Sequence, residues 1–454
     1  MTSSNESAVD IAHVYRGTFV HSTDHTAVEI LEDRLLGVDT EGKVYSICME
    51  WSAYPCEGRR LVHFVVCSEF FMPGMVDTHI HASQYSYAGT ALDLPLLQWL
   101  NTYTFPVEAC YKDLEFARNV YTHVVKRTLR NGTTTACYFA TIHTDASLLL
   151  GQIANDFGQR ALVGKVCMDT NNFVPHYRET PEESHDETNR FISEMLKKKY
   201  PLVRPVVTPR FALSCSAALL GHLGEIAQNN HLHIQSHISE TKEEVKLVKE
   251  LFPDYDSYTD VYHKHNLLTD KTVMAHGCHL TDEELKLFRE KGASVAHCPN
   301  SNISLCSGML DARRVLNHKV KLGLGTDVAG GYSPSMLDAV RRTLDTSKAL
   351  TIQDPQYQTL TFEEVFRLAT LGGSQALSLD EHTGNFQVGK DFDALRVNPR
   401  GPKLLRSLGV VKSQVCSGSF FSPSLFPLPP SGDDRNIAEV YVAGKRVVPF
   451  VERP

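Results

Sequence analysis

Asp77-Thr78-His79-Ile80-His81 follows the turn Met72-Pro73-Gly74 and sets two imidazoles two residues apart. Side chains of a β-strand alternate between faces, so His79 and His81 share a face with Asp77, and such a face can hold a metal ion. In a chain with 21 histidines the pair alone is weak, and other segments must supply further ligands. Ser236-His237-Ile238-Ser239-Glu240, Ala275-His276-Gly277 and Leu324-Gly325-Thr326-Asp327 each end an apolar run on a ligand or an acid/base group. His79, His81, His237 and Asp327 suit one divalent ion with an open position; zinc is the first expectation, with iron or manganese as alternatives. Such an ion lowers the pKa of water enough to give hydroxide near neutral pH. Glu240, three residues past His237, stands where a carboxyl could pass protons to a substrate without ligating the ion. Asp327 could take the proton of the attacking water as well as touch the metal, and His276 could stabilise developing negative charge. His279, His297 and Lys165 are read as structural, and Asp77 as support for its neighbours.

A second set of residues speaks to the substrate. Arg210-Phe211 puts a fixed cation beside an aromatic face at the expected mouth of the site, where a guanidinium can hydrogen-bond a purine carbonyl while a phenyl ring stacks on the base. Gln84, three residues past His81, offers an amide that can donate and accept along the same edge. An edge with a carbonyl beside a ring N–H, as in guanine, complements this pair; an adenine-type edge would meet Arg210 as donor against donor. A pterin carries a similar pyrimidinone edge and stays open, as does cytosine.

Strand candidates fall at 75–81, 133–139, 160–168, 203–209, 231–238, 271–276, 293–297 and 320–326, with amphipathic helical stretches between them. In one such stretch Leu114, Ala117, Val120, Tyr121, Val124 and Val125 lie at helical spacing before the stop Asn131-Gly132. Capping boxes at Thr281/Glu284 and Thr361/Glu364 mark helix starts. Eight strands alternating with helices over 73–382 predict a (β/α)8 barrel of the TIM type, whose functional side chains sit at the C-terminal ends of the strands. The four motifs above end the first, fifth, sixth and eighth candidates. An open doubly wound sheet would bring a Gly-rich fingerprint after its first strand, and none is present.

Residues 1–72 and 383–454 read differently, with β-like runs at Val14–Val20 and Leu61–Val66 and a hairpin at Glu439–Val448, and are expected to form a composite small β-domain. Between them 399–432 is rich in Pro, Ser and Gly and is expected to be a loop. Of the 454 residues 42% are hydrophobic and 22% charged, as in an ordinary globular protein, and no window is apolar enough for a membrane span. The start, MTSSNESAVD, lacks the features of a secretory signal. A net charge of -8 argues against nucleic-acid binding and suits a small neutral substrate. Eleven cysteines without paired spacing are expected to be reduced thiols in the cytoplasm.

Taken together, Pro-Gly-Met-Val-Asp-Thr-His-Ile-His, Ser-His-Ile-Ser-Glu, His-Gly-Cys, His297-Cys-Pro-Asn-Ser-Asn302 and Gly-Thr-Asp resemble the metal-dependent amidohydrolase superfamily, over about 12–398 and again 432–450. The resemblance implies a barrel flanked by a small β-sandwich built from both termini, one zinc per subunit and a homodimer. It also assigns Gln84, Arg210 and Phe211, with Ser83 on the same short loop, to substrate binding beside His81, His237, Glu240 and Asp327. Binuclear members carry a carboxylated lysine on the fourth strand, whereas 203–208 here runs into Pro209-Arg210-Phe211, so a single metal is expected. The implied chemistry is hydrolysis of a C–N bond in a cyclic amidine: attack at C2 of guanine, proton transfer through Asp327 and Glu240 to N3, and release of ammonia and xanthine. The alternatives are another heterocycle deaminase or an interaction protein on the same fold without catalysis. Residues 399–432, Cys48–Val66 and the charged Arg396 depart from the family pattern and are expected to weaken the small domain or a dimer contact while sparing the site.

Overall fold

The computed structural model describes residues 10–50, 61–64, 69–171, 174–399 and 432–450. The N-terminal strands are β1 (Ile11–His21), β2 (Glu29–Asp39), β3 (Val44–Cys48), β4 (Leu61–Phe64) and β5 (Phe70–Pro73). The barrel strands are β6 (Met75–His81), β7 (Thr133–Phe139), β8 (Arg160–Gly164), β9 (Val166–Cys167), β10 (Val203–Pro209), β11 (His233–Ile238), β12 (Thr272–His276), β13 (Ser294–His297) and β14 (Lys321–Leu324). β15 (Ala394–Val397), β16 (Ile437–Val442) and β17 (Lys445–Val448) complete the described strands.

β14-β13-β12-β11-β10-β8-β7-β6 run side by side in parallel, with β9 an extra pairing on β10. Their residues are buried almost throughout, as expected where helices cover the outer face and side chains fill the inside. The two edge strands approach to close the ring: Thr78 Oγ1 donates to the Leu324 carbonyl at 2.9 Å, and Asp327 N to the His79 carbonyl at 2.9 Å. All eight strand candidates are present. The third is split at Lys165, and the eighth ends at Leu324 rather than 326, because Gly325–Asp327 turn away and Asp327 takes a positive φ.

The predicted helix spans Leu114–Arg130, and Asp113 caps it by accepting from Glu115 N and Phe116 N. Its buried face is the expected one from Ala117 to Val125, but Leu114 is 46% exposed at the first turn, before the helix reaches the core. Both capping boxes form with their side chains reciprocally bonded.

Strands from both ends of the chain pair into one eight-stranded sheet, β17-β16-β15-β5-β1-β2-β3 with β4 alongside β1. An aromatic cluster of Tyr15, Phe19, Phe71, Phe386, Phe392 and Tyr441 forms its own core. The hairpin β16–β17 turns at Ala443-Gly444, both with positive φ as a two-residue turn requires. Arg396, the charged residue of β15, pairs with Glu69 at 2.9 Å and with its cross-strand neighbour Glu439 at 2.8 Å. Its charge is therefore balanced where it leaves the core. The loop expected at 399–432 and most of the divergent stretch before Val66 lie outside the described residues.

Candidate active site

The C-terminal ends of β6, β11 and β12, with the turn after β14, bring His79, His81, His237, His276, Glu240 and Asp327 to one place. Ligand atoms of His79, His237, His276 and Asp327 all lie within 4.8 Å of one another. His79 Nε2 is 3.1 Å and His81 Nε2 3.5 Å from Asp327 Oδ1, and the Nε2 atoms of His81 and His237 are 3.1 Å apart. His276 Nε2 stands 3.7 Å from Asp327 Oδ2 and 3.4 Å from Glu240 Oε2. His276 thus belongs geometrically with the ligands as well as with the acid/base groups. His276 and Asp327 both hold positive φ, at 73° and 46°, a conformation non-glycine residues keep where surrounding structure enforces it.

The cluster fits a divalent ion. Burial lowers the imidazole pKa of His79, His81 and His237, which keeps these rings neutral, the form that ligates. His237 Nδ1 donates to the Arg210 carbonyl at 2.6 Å, leaving the Nε2 lone pair for the centre. His79 Nε2 is buried without a hydrogen-bond partner despite its closeness to Asp327. Burial works against the Asp327 carboxylate, but His79, His276 and His81 hold its pKa well below the usual range. Asp77 supports the array as expected: it accepts from His79 N, Thr326 N and Thr326 Oγ1, and is buried enough that its pKa is pushed up to about 7.

Beside this cluster lies a pocket that opens to solvent at its mouth. Gln84, Arg210, Phe211, Glu240 and His81 line it together with Leu96, Trp99, Leu100 and Leu305. Burial pushes the Glu240 carboxyl up to about 7, so near neutral pH it can give or take a proton. Burial depresses His276, yet the charges of Glu240 and Asp327 outweigh it and raise its pKa.

Several expectations change in detail. Arg210 is 2% exposed and forms the inner wall rather than the mouth; its guanidinium pairs with Glu108 at 2.6 Å and lies 4.9 Å from the Phe105 ring centre. Ser83 does not line the cavity: its hydroxyl donates to the Ala140 carbonyl at 3.0 Å, because the turn Ala82–Tyr87 directs it to the backbone just past β7. Sequence reasoning missed Glu108, Trp99 and Leu305, which sit in no motif. It also missed Asn302 and Ser307, which bond His276 and Glu240; Asn302 at least closes the His297–Asn302 motif. His297 is buried with its pKa lowered to about 3 by burial, His279 bonds the Ser307 carbonyl at 2.9 Å, and Lys165 is ion-paired with Glu179 at 2.7 Å, all structural as expected.

Residues 70–447 match the amidohydrolase family. Guanine deaminase from Homo sapiens is 58% identical over 97% of this chain and 97% of its own. Guanine deaminase from Escherichia coli (strain K12) is 35% identical over 93% and 92%. Among solved structures, guanine deaminase from C. acetobutylicum with guanine bound in its active site aligns with a TM-score of 0.86 at 31% identity, covering 96% of this chain and 99% of that one. The barrel, the imidazole and carboxylate cluster at its strand ends and the extent of these matches lead to one conclusion: the chain belongs to the amidohydrolase family.

Proposed function

We propose that this enzyme hydrolyses guanine to xanthine and ammonia. The observation that carries the reading is a single cavity lined both by Glu240 and members of the ligand cluster and by Arg210, Gln84 and Phe211. Its likeness over nearly full length to guanine deaminases, one of them with guanine bound, supports the same substrate.

His79, His81, His237 and Asp327 would hold one zinc ion. When bound, it would polarise water and bring the pKa of that water toward neutrality. Asp327, held as a carboxylate, accepts the proton the water gives up as its oxygen adds to C2 of guanine. Glu240 gives a proton to N3 and then carries one to the departing amino group, so that the C2–N bond breaks and ammonia leaves. His276 sits between Glu240 and Asp327 and stabilises charge that builds up beside them. Arg210 donates to the purine carbonyl, Gln84 bonds along the same edge, and the Phe211 ring packs against the base.

The proposal extends to a composite small domain (1–72 and 383–454) on a barrel of 73–382, and to a cytoplasmic homodimer. The eight cysteines among the described residues are all free, which supports a reducing compartment. No helix among the described residues is long and apolar enough to cross a membrane.

Ammonia release from guanine by purified protein, with metal content and mass in solution, tests the reading. One zinc per chain, turnover on guanine and a dimeric mass are expected. A full zinc complement with no turnover refutes the substrate; protein that neither holds metal nor turns over refutes the enzyme.

A further inference from the structure

One carboxylate that the proposed chemistry does not use gathers the groups that face the base. Glu108 is fully buried in the helix Phe105–Ala109. Its Oε2 accepts from Arg210 Nη1 at 2.6 Å and from Tyr177 OH at 2.8 Å; its Oε1 accepts from Arg210 Nη2 at 3.3 Å and Gln84 Nε2 at 3.1 Å. Four donors satisfy a carboxylate whose burial would otherwise be costly.

Two consequences follow for the cavity wall. The two-pronged contact, together with Phe105 against the guanidinium, fixes the plane of Arg210 and leaves its remaining N–H groups as donors. The Gln84 amide is fixed end for end, because Glu108 requires its NH2 while Ala329 N donates to its Oε1 at 3.0 Å. What remains for a ligand is a rigid edge rich in donors.

We propose that Glu108 is the positioning residue that sets the choice of a 6-oxo over a 6-amino purine, holding Arg210 and Gln84 in register without touching the substrate. This rests on the guanine reading above. A purine with a carbonyl at C6 meets the locked donors; one with an amino group there, such as 2,6-diaminopurine, meets donor against donor. Without the Glu108 charge Arg210 is free to swing out and Gln84 to reverse, and the distinction fades.

The test is steady-state deamination of guanine and 2,6-diaminopurine by wild-type protein, E108Q and Y177F, with xanthine titrated calorimetrically as a probe independent of turnover. In E108Q the NH2 opposes an Arg210 N–H, so KM for guanine rises about tenfold or more while kcat changes far less. The preference for guanine over 2,6-diaminopurine shrinks about tenfold, and xanthine binding weakens in step. Y177F removes one partner of the carboxylate and moves the same quantities the same way by about twofold to fivefold. Wild-type KM and preference in E108Q, or a fall confined to kcat, overturns the assignment. Should E108Q fail to fold, Y177F decides, and an unchanged preference there overturns it. A wild-type protein inactive on guanine instead refutes the functional reading, and Glu108 falls with it.

Discussion

The Ser307 hydroxyl donates to Glu240 Oε1 at 2.8 Å, which turns the other oxygen, Oε2, toward His276 and the cavity. Ser307 therefore sets which oxygen of the proton carrier faces the base. In S307A the carboxyl loses this anchor but keeps its place in the chain, and kcat on guanine is expected to fall about threefold to tenfold with KM little changed. E240Q, which removes the proton itself, is expected to lose about a hundredfold or more in kcat. Parallel steady-state measurements on both variants check the order; an S307A loss as deep as that of E240Q would mean the hydroxyl carries protons itself.

Asn302 Oδ1 accepts from His276 Nδ1 at 2.8 Å, so the opposite nitrogen, Nε2, is the one presented to Glu240 and Asp327. Asn302→Ala leaves the ring free to take the other tautomer or to rotate. A loss of about tenfold to a hundredfold in kcat is expected, the usual cost of removing the partner that orients a ligating or catalytic imidazole. Metal content measured alongside separates the two roles of His276: retained metal with lost activity marks a catalytic ring, and lost metal marks a ligand.

Removal of the ion should be felt by the fold as well as by the chemistry. The imidazoles of His79, His237 and His276 and the Asp327 carboxylate crowd together from β6, β11, β12 and the turn after β14, so a divalent ion ties distant parts of the barrel to one point. Chelation is expected to abolish ammonia release and lower the melting temperature, with zinc restoring both in a one-to-one titration. Restoration only at two equivalents would contradict the single-metal reading.

The barrel was legible because fully buried parallel strands read as short apolar runs between helix caps, and because its topology forces functional groups to strand ends. His237, His276 and Asp327 could be sought where β6 said they should be. Glu108 and Ser307 could not be sought that way, and Asn302, although it closes the His297–Asn302 motif, shows there no sign of its partner. They act through hydrogen bonds across 24 to 102 residues of chain, and nothing in their local sequence encodes a partner that only the closed barrel brings near. For Ser83, spacing fixes the loop but not the direction of the hydroxyl, which donates to the Ala140 carbonyl just past β7.

At the opposite end of the barrel, Arg160 at the start of β8 reaches the segment that leads into β15. Its Nε donates to Asp393 Oδ2 at 3.1 Å, and Nη2 to Asp393 Oδ1 at 3.2 Å and to Asp391 Oδ2 at 2.8 Å. Asp393 in turn accepts from Thr383 Oγ1 and from Ala443 N in the β16–β17 turn, so one buried carboxylate links the barrel to the terminal sheet. R160A leaves that carboxylate buried without its cation, and a loss of about 3–5 kcal/mol in unfolding free energy is expected. Because the pair lies at the N-terminal face, away from Glu240 and Asp327, KM and kcat of the folded fraction should stay near wild type. Denaturant melts paired with activity at low temperature test this; a large change in KM with unaltered stability would show that the terminal sheet shapes the cavity, contrary to the separation of stability and function between the two barrel faces.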